Sequence, residues 1–338
     1  MKILRTDALL ETPHVDAELR RMGHDLTLLP DGATEEAVCE AIHDADLLLM
    51  CYQPITARVI DAAPNLKGIV KYGVGIDAID IPTAKARDIK VVNIPEYAED
   101  TVAEGAFALM ISLAKRLPAL QRTMQDDGWA WPEAQHLGRD IAGSTVGLIG
   151  LGKIGSSMAR MAGLGFRARV LAYSPHTPQE RFDVLGVTRC TDLHDMLGQC
   201  DFVSVHSVLN PETHHLIGEA ELRAMQPHAS LINVSRGAIV DEQALIRALD
   251  AGWIAGAGLD VFSDEPLALR DHPLSALFGR DNVMLSPHLT FYTHEAMGRL
   301  EQETLQRCRE LLDGRELVIK SADPRLAGQG KGVRYVTG

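Results

Sequence analysis

The fold of this chain is decided by residues 145–155, which read TVGLIGLGKIG. An apolar run that predicts a buried strand, Thr145–Ile149, leads directly into Gly150, Gly152 and Gly155, and an amphipathic stretch follows. In this context the first glycine permits a tight turn, the second lets a ligand approach the backbone, and the third lets the helix lie against the strand. The N-terminus of that helix offers N–H groups and partial positive charge to a pyrophosphate. The stretch therefore predicts a dinucleotide-binding turn, with a purely structural glycine turn as the alternative.

The same segment comes close to a second phosphate-binding motif. Gly147, Gly152 and Lys153 have the spacing of the loop that binds nucleoside triphosphates. Ile154, however, stands where that motif needs a Ser or Thr for magnesium. A nucleoside triphosphatase is therefore disfavoured, and we expect no metal site.

The residue after the next predicted strand bears on the choice of cofactor. Dinucleotide-binding domains that use NAD often place there an acid that binds the adenosine ribose. This chain has Ser174 instead, followed by His176 and Arg181. Serine carries no charge that would repel the 2′-phosphate of NADP, so the cofactor is NAD or NADP, with NADP favoured. Alternatively, His176 and Arg181 are solvated loop residues and the protein uses NAD or both cofactors.

On both sides of this turn, short apolar runs alternate with amphipathic segments. The runs before it are Lys2–Leu4, Asp25–Leu29, Asp46–Met50, Leu66–Lys71 and Lys90–Ile94; those after it are Ala168–Tyr173, Phe202–His206, Leu231–Val234, Ala255–Val261 and Val283–Ser286. Continuous apolar strands that alternate with helices are typical of parallel sheets covered on both faces. The sequence therefore predicts an α/β protein.

Three further segments carry expectations of their own. Residues 101–117 predict a long helix, because Thr101 and Glu104 have capping-box spacing and Pro118 would end it. Residues 121–140 have weak periodicity and are interpreted as a connector. The last segment, 321–338, is rich in glycine and basic residues, and we expect a mobile tail.

Composition narrows the class of protein. The 338 residues suggest two domains. The net charge of −13 argues against nucleic acid or an anionic membrane as a partner. Five scattered cysteines favour a reducing compartment, and the N-terminus lacks the apolar core of a signal peptide. We therefore expect a cytoplasmic protein.

Polar residues follow three of the predicted strands at the point where each strand ends. Arg236 comes after LINV, Glu265 after GLDVF, and His288 after VMLS. Carboxyl ends of strands in a doubly wound sheet line one crevice, so we expect the three side chains to converge. An imidazole exchanges a proton with a substrate oxygen, a carboxylate beside it favours its charged form, and an arginine binds a 2-oxo carboxylate. His206, at another strand end, is the rival acid/base.

At this point the chain resembles a known family. The motifs GLGKIG, NVSRG, GLDVF-x-DEP and SPH, over roughly residues 45–315, resemble those of the D-isomer-specific 2-hydroxyacid dehydrogenases. The resemblance implies a Rossmann-type doubly wound nucleotide domain, 99–292, inserted into a flavodoxin-like α/β substrate domain formed by 1–98 and 293–320. It also implies a homodimer, in which Trp129 and Trp131 would lie at the interface or, alternatively, form a substrate wall.

The resemblance also implies roles for individual residues. Arg236 would anchor the substrate, Glu265 would be the partner of the histidine, and His288 would be the acid/base. The KYGVGID segment would bind the substrate carboxylate through Lys71, Val74 and Gly75. The cofactor would contact the positions matched by Gly150, Gly152, Lys153, Ile154, Gly155, Ser174, Thr101, Ser207, Val234 and Asp260.

The resemblance further implies the reaction: interconversion of a D-2-hydroxy acid and its 2-oxo acid by hydride transfer with NAD or NADP. Non-catalytic, NAD(H)-sensing corepressors share this scaffold and keep the three catalytic residues. An interaction protein of that type therefore remains the alternative.

Overall fold

The structure, a computed structural model, describes residues 1–336. The chain divides into two compact units. One consists of Met1–Ala98 together with the chain from Thr293 onward, and the other of Glu99–Tyr292.

The first ninety-odd residues of the first unit alternate strand and helix. The strands are β1 Lys2–Arg5, β2 Asp25–Leu28, β3 Leu47–Met50, β4 Gly68–Lys71 and β5 Lys90–Asn93. The helices are α1 Pro13–Arg21, α2 Glu35–Ile42, α3 Ala57–Asp61 and α4 Ile81–Ala86. The strands pair in parallel in the order β2-β1-β3-β4-β5, which is the flavodoxin-like order.

Local sequence explains these elements. β3 and β4 are buried along their whole length, as continuous apolar runs in a covered parallel sheet should be. Thr34, Thr56 and Asp80 begin α2, α3 and α4 by accepting a hydrogen bond from a backbone N–H of the first turn. The apolar runs predicted for this half therefore correspond to strands.

The second unit begins with two helices and continues with a larger sheet. Its helices are α5 Glu99–Ala114, α6 Leu117–Asp126, α7 Lys153–Arg160, α8 Gln179–Leu185, α9 Leu193–Leu197, α10 Glu219–Ala224 and α11 Glu242–Asp250. Its strands are β6 Thr145–Ile149, β7 Arg169–Tyr173, β8 Thr188–Arg189, β9 Phe202–Val205, β10 Ser230–Asn233, β11 Gly256–Leu259 and β12 Val283–Leu285. A π-helix, Met161–Gly165, extends α7, and 3₁₀ turns lie at Ala134–His136, Gly237–Ile239 and Ser275–Leu277.

The strands of the second unit are parallel, in the order β12-β11-β10-β9-β6-β7-β8. The order reverses between β6 and β9, which is the point where doubly wound sheets bind dinucleotides. Register pairs Ile149 with both Tyr173 and Val205, so the residues that follow these strands lie at one edge. The predicted fold class, a Rossmann-type sheet with a flavodoxin-like partner, is confirmed.

The predicted helix over 101–117 is wrong at both ends. α5 begins at Glu99, so Thr101 lies buried in its first turn and does not cap it. Arg116 adopts a left-handed conformation with φ of 53° and separates α5 from α6, a helix that overlaps the start of the predicted connector. Pro118 lies in the first turn of α6, where a missing N–H costs nothing.

The end of the chain returns to the first unit. It comprises α12 His294–Leu312, β13 Leu317–Ile319, a 3₁₀ turn at Pro324–Leu326 and β14 Val333–Tyr335, which pairs in parallel with β13. Leu326 and Gln329 are buried. The segment expected to be a mobile tail thus has defined structure through residue 336, because it buries apolar surface and satisfies backbone groups; residues 337 and 338 lie outside the described residues.

Candidate active site

The glycine turn after β6 is built by backbone contacts that leave no room for side chains. Gly150 has a φ of +97°, and a Cβ there would lie 2.8 Å from the carbonyl of His206 and the nitrogen of Ser207. A Cβ on Gly155 would lie 2.3 Å from the Gly150 oxygen. The turn is therefore pressed against β9 on one side and α7 on the other.

Gly152 differs from its neighbours because it faces open space. A Cβ at this position would meet no atom within 4 Å, and α7 begins here without a side-chain cap. The first N–H groups of α7 and the positive end of its dipole therefore point to a region that accepts an anion. Lys153 flanks this region, with its Nζ 3.4 Å from Oε1 of Glu99, and Ile154 is half-buried beside it.

Ser174, at the end of β7, is bound to the glycine turn. Its Oγ accepts a hydrogen bond from the N–H of Leu151 at 3.1 Å and lies 2.9 Å from the hydroxyl of Thr177. The Arg181 guanidinium reaches the same turn and donates to the Leu151 carbonyl at 3.4 Å. His176 is exposed, with Nε2 3.3 Å from a carboxylate oxygen of Glu212. Arg181, rather than His176, therefore supplies positive charge beside the turn.

Two further predicted cofactor residues line the neighbouring strand ends. Ser207, after β9, donates its hydroxyl to the Ile149 carbonyl at 3.1 Å, and its own carbonyl accepts from the hydroxyl of Ser235. Val234, after β10, is buried. These contacts tie the segments after β6, β9 and β10 together at the edge that carries the glycine turn.

The predicted acid/base pair is in contact. His288 Nδ1 lies 2.9 Å from Oε2 of Glu265. The other oxygen of Glu265 accepts the N–H of Phe262 at 2.8 Å. Burial by itself would raise the pKa of the Glu265 carboxyl, but the hydrogen bond and charge of His288, the Phe262 N–H and the charge of Arg236 together lower it. The carboxylate is therefore ionised at neutral pH and can orient the ring.

The loop that carries Arg236 is held by Asn233 and lies on the loop that carries Glu265. The side chain of Asn233 binds both the N–H of Ser235 and the carbonyl of Arg236. The next residue, Gly237, is buried, and a Cβ on it would lie 2.0 Å from the carbonyl carbon of Phe262. The loop after β10 thus lies directly on the loop after β11, which carries Glu265, and the charge of Arg236 acts on that carboxylate.

The backbone at His288 is held by Asp260. His288 has a φ of 58°, in the left-handed region that non-glycine residues rarely adopt. Just beyond it, the buried Asp260 carboxylate accepts the N–H groups of Leu289 and Thr290 at 3.0 and 3.2 Å, and the hydroxyl of Thr290 at 2.5 Å. Asp260, a predicted cofactor residue, therefore fixes the segment that presents His288, a role that sequence reasoning missed.

The rival histidine has a different environment. His206 Nε2 lies 2.9 Å from the Ser204 hydroxyl, while Nδ1 is buried and has no hydrogen-bond partner among the described residues. Burial lowers the pKa of His206 to about 4, so its ring is neutral at pH 7. It has no carboxylate partner comparable to Glu265, which favours His288 as the acid/base.

The predicted substrate residues of the first unit lie at the end of β4 and in the loop that follows it. Lys71 is buried, and its Nζ donates to the Cys51 carbonyl at 2.6 Å and lies 3.0 Å from the Cys51 sulfur. Its Nζ is also 5.5 Å from the ring centre of Tyr52. Cys51 and Tyr52 escaped sequence reasoning, since only the register of β3 against β4 brings them to Lys71.

The loop itself offers backbone donors. Within residues 1–336, neither Val74 nor Gly75 donates its N–H to a protein acceptor. The Val74 carbonyl accepts a hydrogen bond from the side-chain amide of Asn93 at 2.6 Å. Two adjacent unused N–H groups are a common arrangement for binding an anion.

No group of three or more His, Cys, Asp or Glu side chains in the described part of the chain is arranged to hold a metal ion. Among residues 1–336, no helix is both long enough and apolar enough to cross a membrane.

The chain is similar to known proteins over most of its length. Residues 107–290 match the family model for the D-isomer specific 2-hydroxyacid dehydrogenase NAD binding domain. Glyoxylate reductase of Korarchaeum cryptofilum is 41% identical over 283 residues, which cover 82% of this chain and 83% of that protein. D-lactate dehydrogenase from Aquifex aeolicus, solved with NAD and lactic acid, superposes with a TM-score of 0.83 at 28% identity, covering 92% and 96%.

Another solved structure carries the other nicotinamide cofactor. An acyclic imino acid reductase in complex with NADPH and D-Arg superposes with a TM-score of 0.81 at 28% identity, covering 93% of this chain and 98% of that one. The same scaffold thus holds NAD in one neighbour and NADPH in another.

The contact at Gly237 can be tested by stability. A methyl group in Gly237→Ala would push the Phe262 backbone away, so we expect destabilisation by about 1–3 kcal/mol, measured by denaturant unfolding. Gly165→Ala is the matched control, since a Cβ there meets nothing within 4 Å, and it should change stability by less than about 0.5 kcal/mol. Equal stability of the two variants would contradict the steric argument.

Proposed function

We propose, since the chain belongs to the D-isomer specific 2-hydroxyacid dehydrogenase family, that it reduces a 2-oxo acid to the D-2-hydroxy acid through Arg236, Glu265 and His288. The observation that carries this proposal is the 2.9 Å contact between His288 Nδ1 and Glu265, with the charge of Arg236 acting on the same carboxylate. The glyoxylate reductase and D-lactate dehydrogenase names of the relatives support this class of substrate. The reverse oxidation would use the same groups.

His288 acts as the acid/base. Nδ1 is bound to Glu265, and we assign to Nε2 the exchange of a proton with the substrate oxygen at C2. In the direction of reduction, the imidazolium donates its proton to the carbonyl oxygen, and the Glu265 carboxylate stabilises the ring while it is charged. The bound nicotinamide supplies the hydride to C2.

Arg236 anchors and polarises the substrate. A guanidinium binds a carboxylate through two parallel hydrogen bonds and stays charged throughout the reaction. The unused N–H groups of Val74 and Gly75, together with Lys71, are assigned to the substrate by family resemblance. For the cofactor, the open face of Gly152 and the start of α7 fit a pyrophosphate, with Lys153 and Ile154 flanking it.

Removal of the acid/base tests the reaction. We expect His288→Ala to lower kcat by about 10²–10⁴-fold, because the proton transfer then lacks its donor, while the Kd for the reduced cofactor, measured by its fluorescence, stays the same. His228→Ala is the control: His228 is a surface histidine paired with Asp201, and the variant should turn over like the wild type. An unchanged rate in His288→Ala would refute the assignment.

An assay of turnover also distinguishes the enzyme from the alternative function, a non-catalytic sensor. A non-catalytic NAD(H) sensor would bind reduced cofactor but leave its absorbance unchanged across glyoxylate, hydroxypyruvate, phenylpyruvate and 2-ketogluconate. Loss of absorbance with any of these acids supports the enzyme and identifies its preferred substrate.

For the cofactor, we propose NADP(H), with Ser174 and Arg181 receiving the 2′-phosphate. Ser174 brings no negative charge to the turn, and Arg181 lies 3.4 Å from the Leu151 carbonyl at the same place. A single guanidinium–phosphate contact is charge-assisted and directional.

We therefore expect Arg181→Ala to raise KM for NADPH by about tenfold and to leave KM for NADH unchanged. Ser174→Asp should disfavour NADPH further, because the new carboxylate repels the 2′-phosphate. Steady-state kinetics with both cofactors measure the effect, and NADH is the internal control. Equal sensitivity of the two cofactors to Arg181→Ala would overturn this proposal.

We also propose a homodimer formed through the segment that contains α6 and the residues after it. Trp129 and Trp131 are 62% and 73% exposed and contact each other edge to face, and Leu137 is exposed nearby in the sequence. Exposed large apolar side chains clustered in one segment are typical of an interface.

The dimer is tested by the double substitution Trp129→Ser and Trp131→Ser. We expect sedimentation at micromolar concentration to shift from dimer to monomer, because the apolar surface that drives association is removed. Leu9→Ser, at an equally exposed leucine of the first unit, should leave the dimer intact. A wild-type monomer would refute the proposal.

A further inference from the structure

The C-terminal segment is attached to the edge of the first unit's sheet through a side chain that imitates a strand. Gln329 is buried, and its carboxamide accepts the N–H of Val91 at 2.6 Å and donates to the Val91 carbonyl at 2.8 Å. The same amide also donates to the Leu326 carbonyl. A residue on the edge strand β5 is thereby paired without another strand, and residues 326–329 are fixed beside it.

This attachment places Arg325 against a loop that precedes it by about 250 residues. Asp323 holds the Arg325 guanidinium with both carboxylate oxygens, with contacts from 2.7 to 3.2 Å. The remaining Nη1 donates to Oδ1 of Asp77 at 3.0 Å. The guanidinium is therefore oriented before it meets Asp77, which lowers the entropy lost in forming the contact.

Asp77 closes the loop that carries Val74 and Gly75. The loop leaves β4 at Lys71, and the side chain of Asn93 holds it at the Val74 carbonyl. Ile94 holds it a second time, by donating its N–H to the Gly73 carbonyl at 3.0 Å. These contacts fix the side of the loop that faces β5, and Arg325 fixes its far end.

We propose that the C-terminal segment is part of the substrate-binding apparatus, with Arg325 as a positioning residue that holds the loop of Val74 and Gly75 through Asp77. The inference rests on the proposed function, because it assumes that these two N–H groups bind the substrate carboxylate. Two adjacent N–H groups bind one carboxylate well only when their directions are fixed in advance.

The expected effect is on binding and not on chemistry. The Arg325–Asp77 pair is partly exposed, at 42% and 38% of the two side chains, so its contribution is modest and is screened by salt. The proposal gives Arg325 no part in proton transfer or cofactor binding, so kcat and KM for the cofactor should not change. KM for the 2-oxo acid should rise.

The experiment compares Arg325→Ala with Arg334→Ala in the full-length protein. Arg334 is the matched control, because it lies in the same segment on β14 and pairs on the surface with Glu316. We expect Arg325→Ala to raise KM for the oxo acid by about two- to fivefold, and this ratio to fall toward one at about 1 M salt. Asp77→Asn, which breaks the pair from the loop side, should give the same result.

Hydrogen exchange of the amides of residues 73–77 provides a readout that does not need activity. We expect faster exchange in Arg325→Ala than in the wild type, and no change in Arg334→Ala. Identical exchange and identical KM in the two variants would overturn the inference, as would faster exchange without any change in KM.

Failure of the proposed function has a different signature. If the wild type oxidises neither NADH nor NADPH with any oxo acid, the proposed reaction is refuted. Exchange of residues 73–77 then decides alone whether Arg325 holds the loop.

Discussion

The candidate site depends on one close approach between two backbones. Gly237, just after Arg236, lies so near to Phe262 that no side chain could be placed between them. This contact joins the loop after β10 to the loop after β11, which carries Glu265. The N–H of Phe262 then binds Glu265, and Glu265 binds His288. The relative placement of the three polar residues therefore follows from the geometry of a position that has no chemistry of its own.

Electrostatics at this site run against those of the whole chain. The net charge of −13 repels an anionic acid and a pyrophosphate at long range. The site counters it locally, with the guanidinium of Arg236 and the N-terminal N–H groups of α7. At about 0.1 M salt, charges more than about 10 Å apart are largely screened from one another. The positive groups close to the site therefore affect a bound anion more than the negative charges elsewhere on the chain. The same contrast distinguishes Arg181, which contacts the glycine turn, from the exposed His176, which lies beside Glu212.

How much of this arrangement follows from sequence depends on the range of the interaction. The strands were predictable, because a buried parallel strand is a continuous apolar run. The glycine turn was predictable too, because local backbone geometry sets the spacing of Gly150, Gly152 and Gly155. The contact between Glu265 and His288 agrees with the rule that strand ends share an edge. Other features depend on register or on long-range contacts, which a single sequence does not encode visibly. Three features are of this kind: the left-handed conformation of Arg116 between α5 and α6, the hydrogen bonds of Asp260 to the segment after His288, and the contact of Lys71 with Cys51.

The insertion of the second unit explains why the C-terminal segment was misjudged. Its glycine and basic residues are typical of a disordered tail when they are considered locally. Their partners, however, lie in the first hundred residues: Val91 for Gln329, and Asp77 for Arg325. The entropy of closing so long a loop grows only slowly with length, and the packing of the second unit already restricts the intervening chain. Late residues can therefore complete an early loop at little extra cost, as Arg325 does through its contact with Asp77.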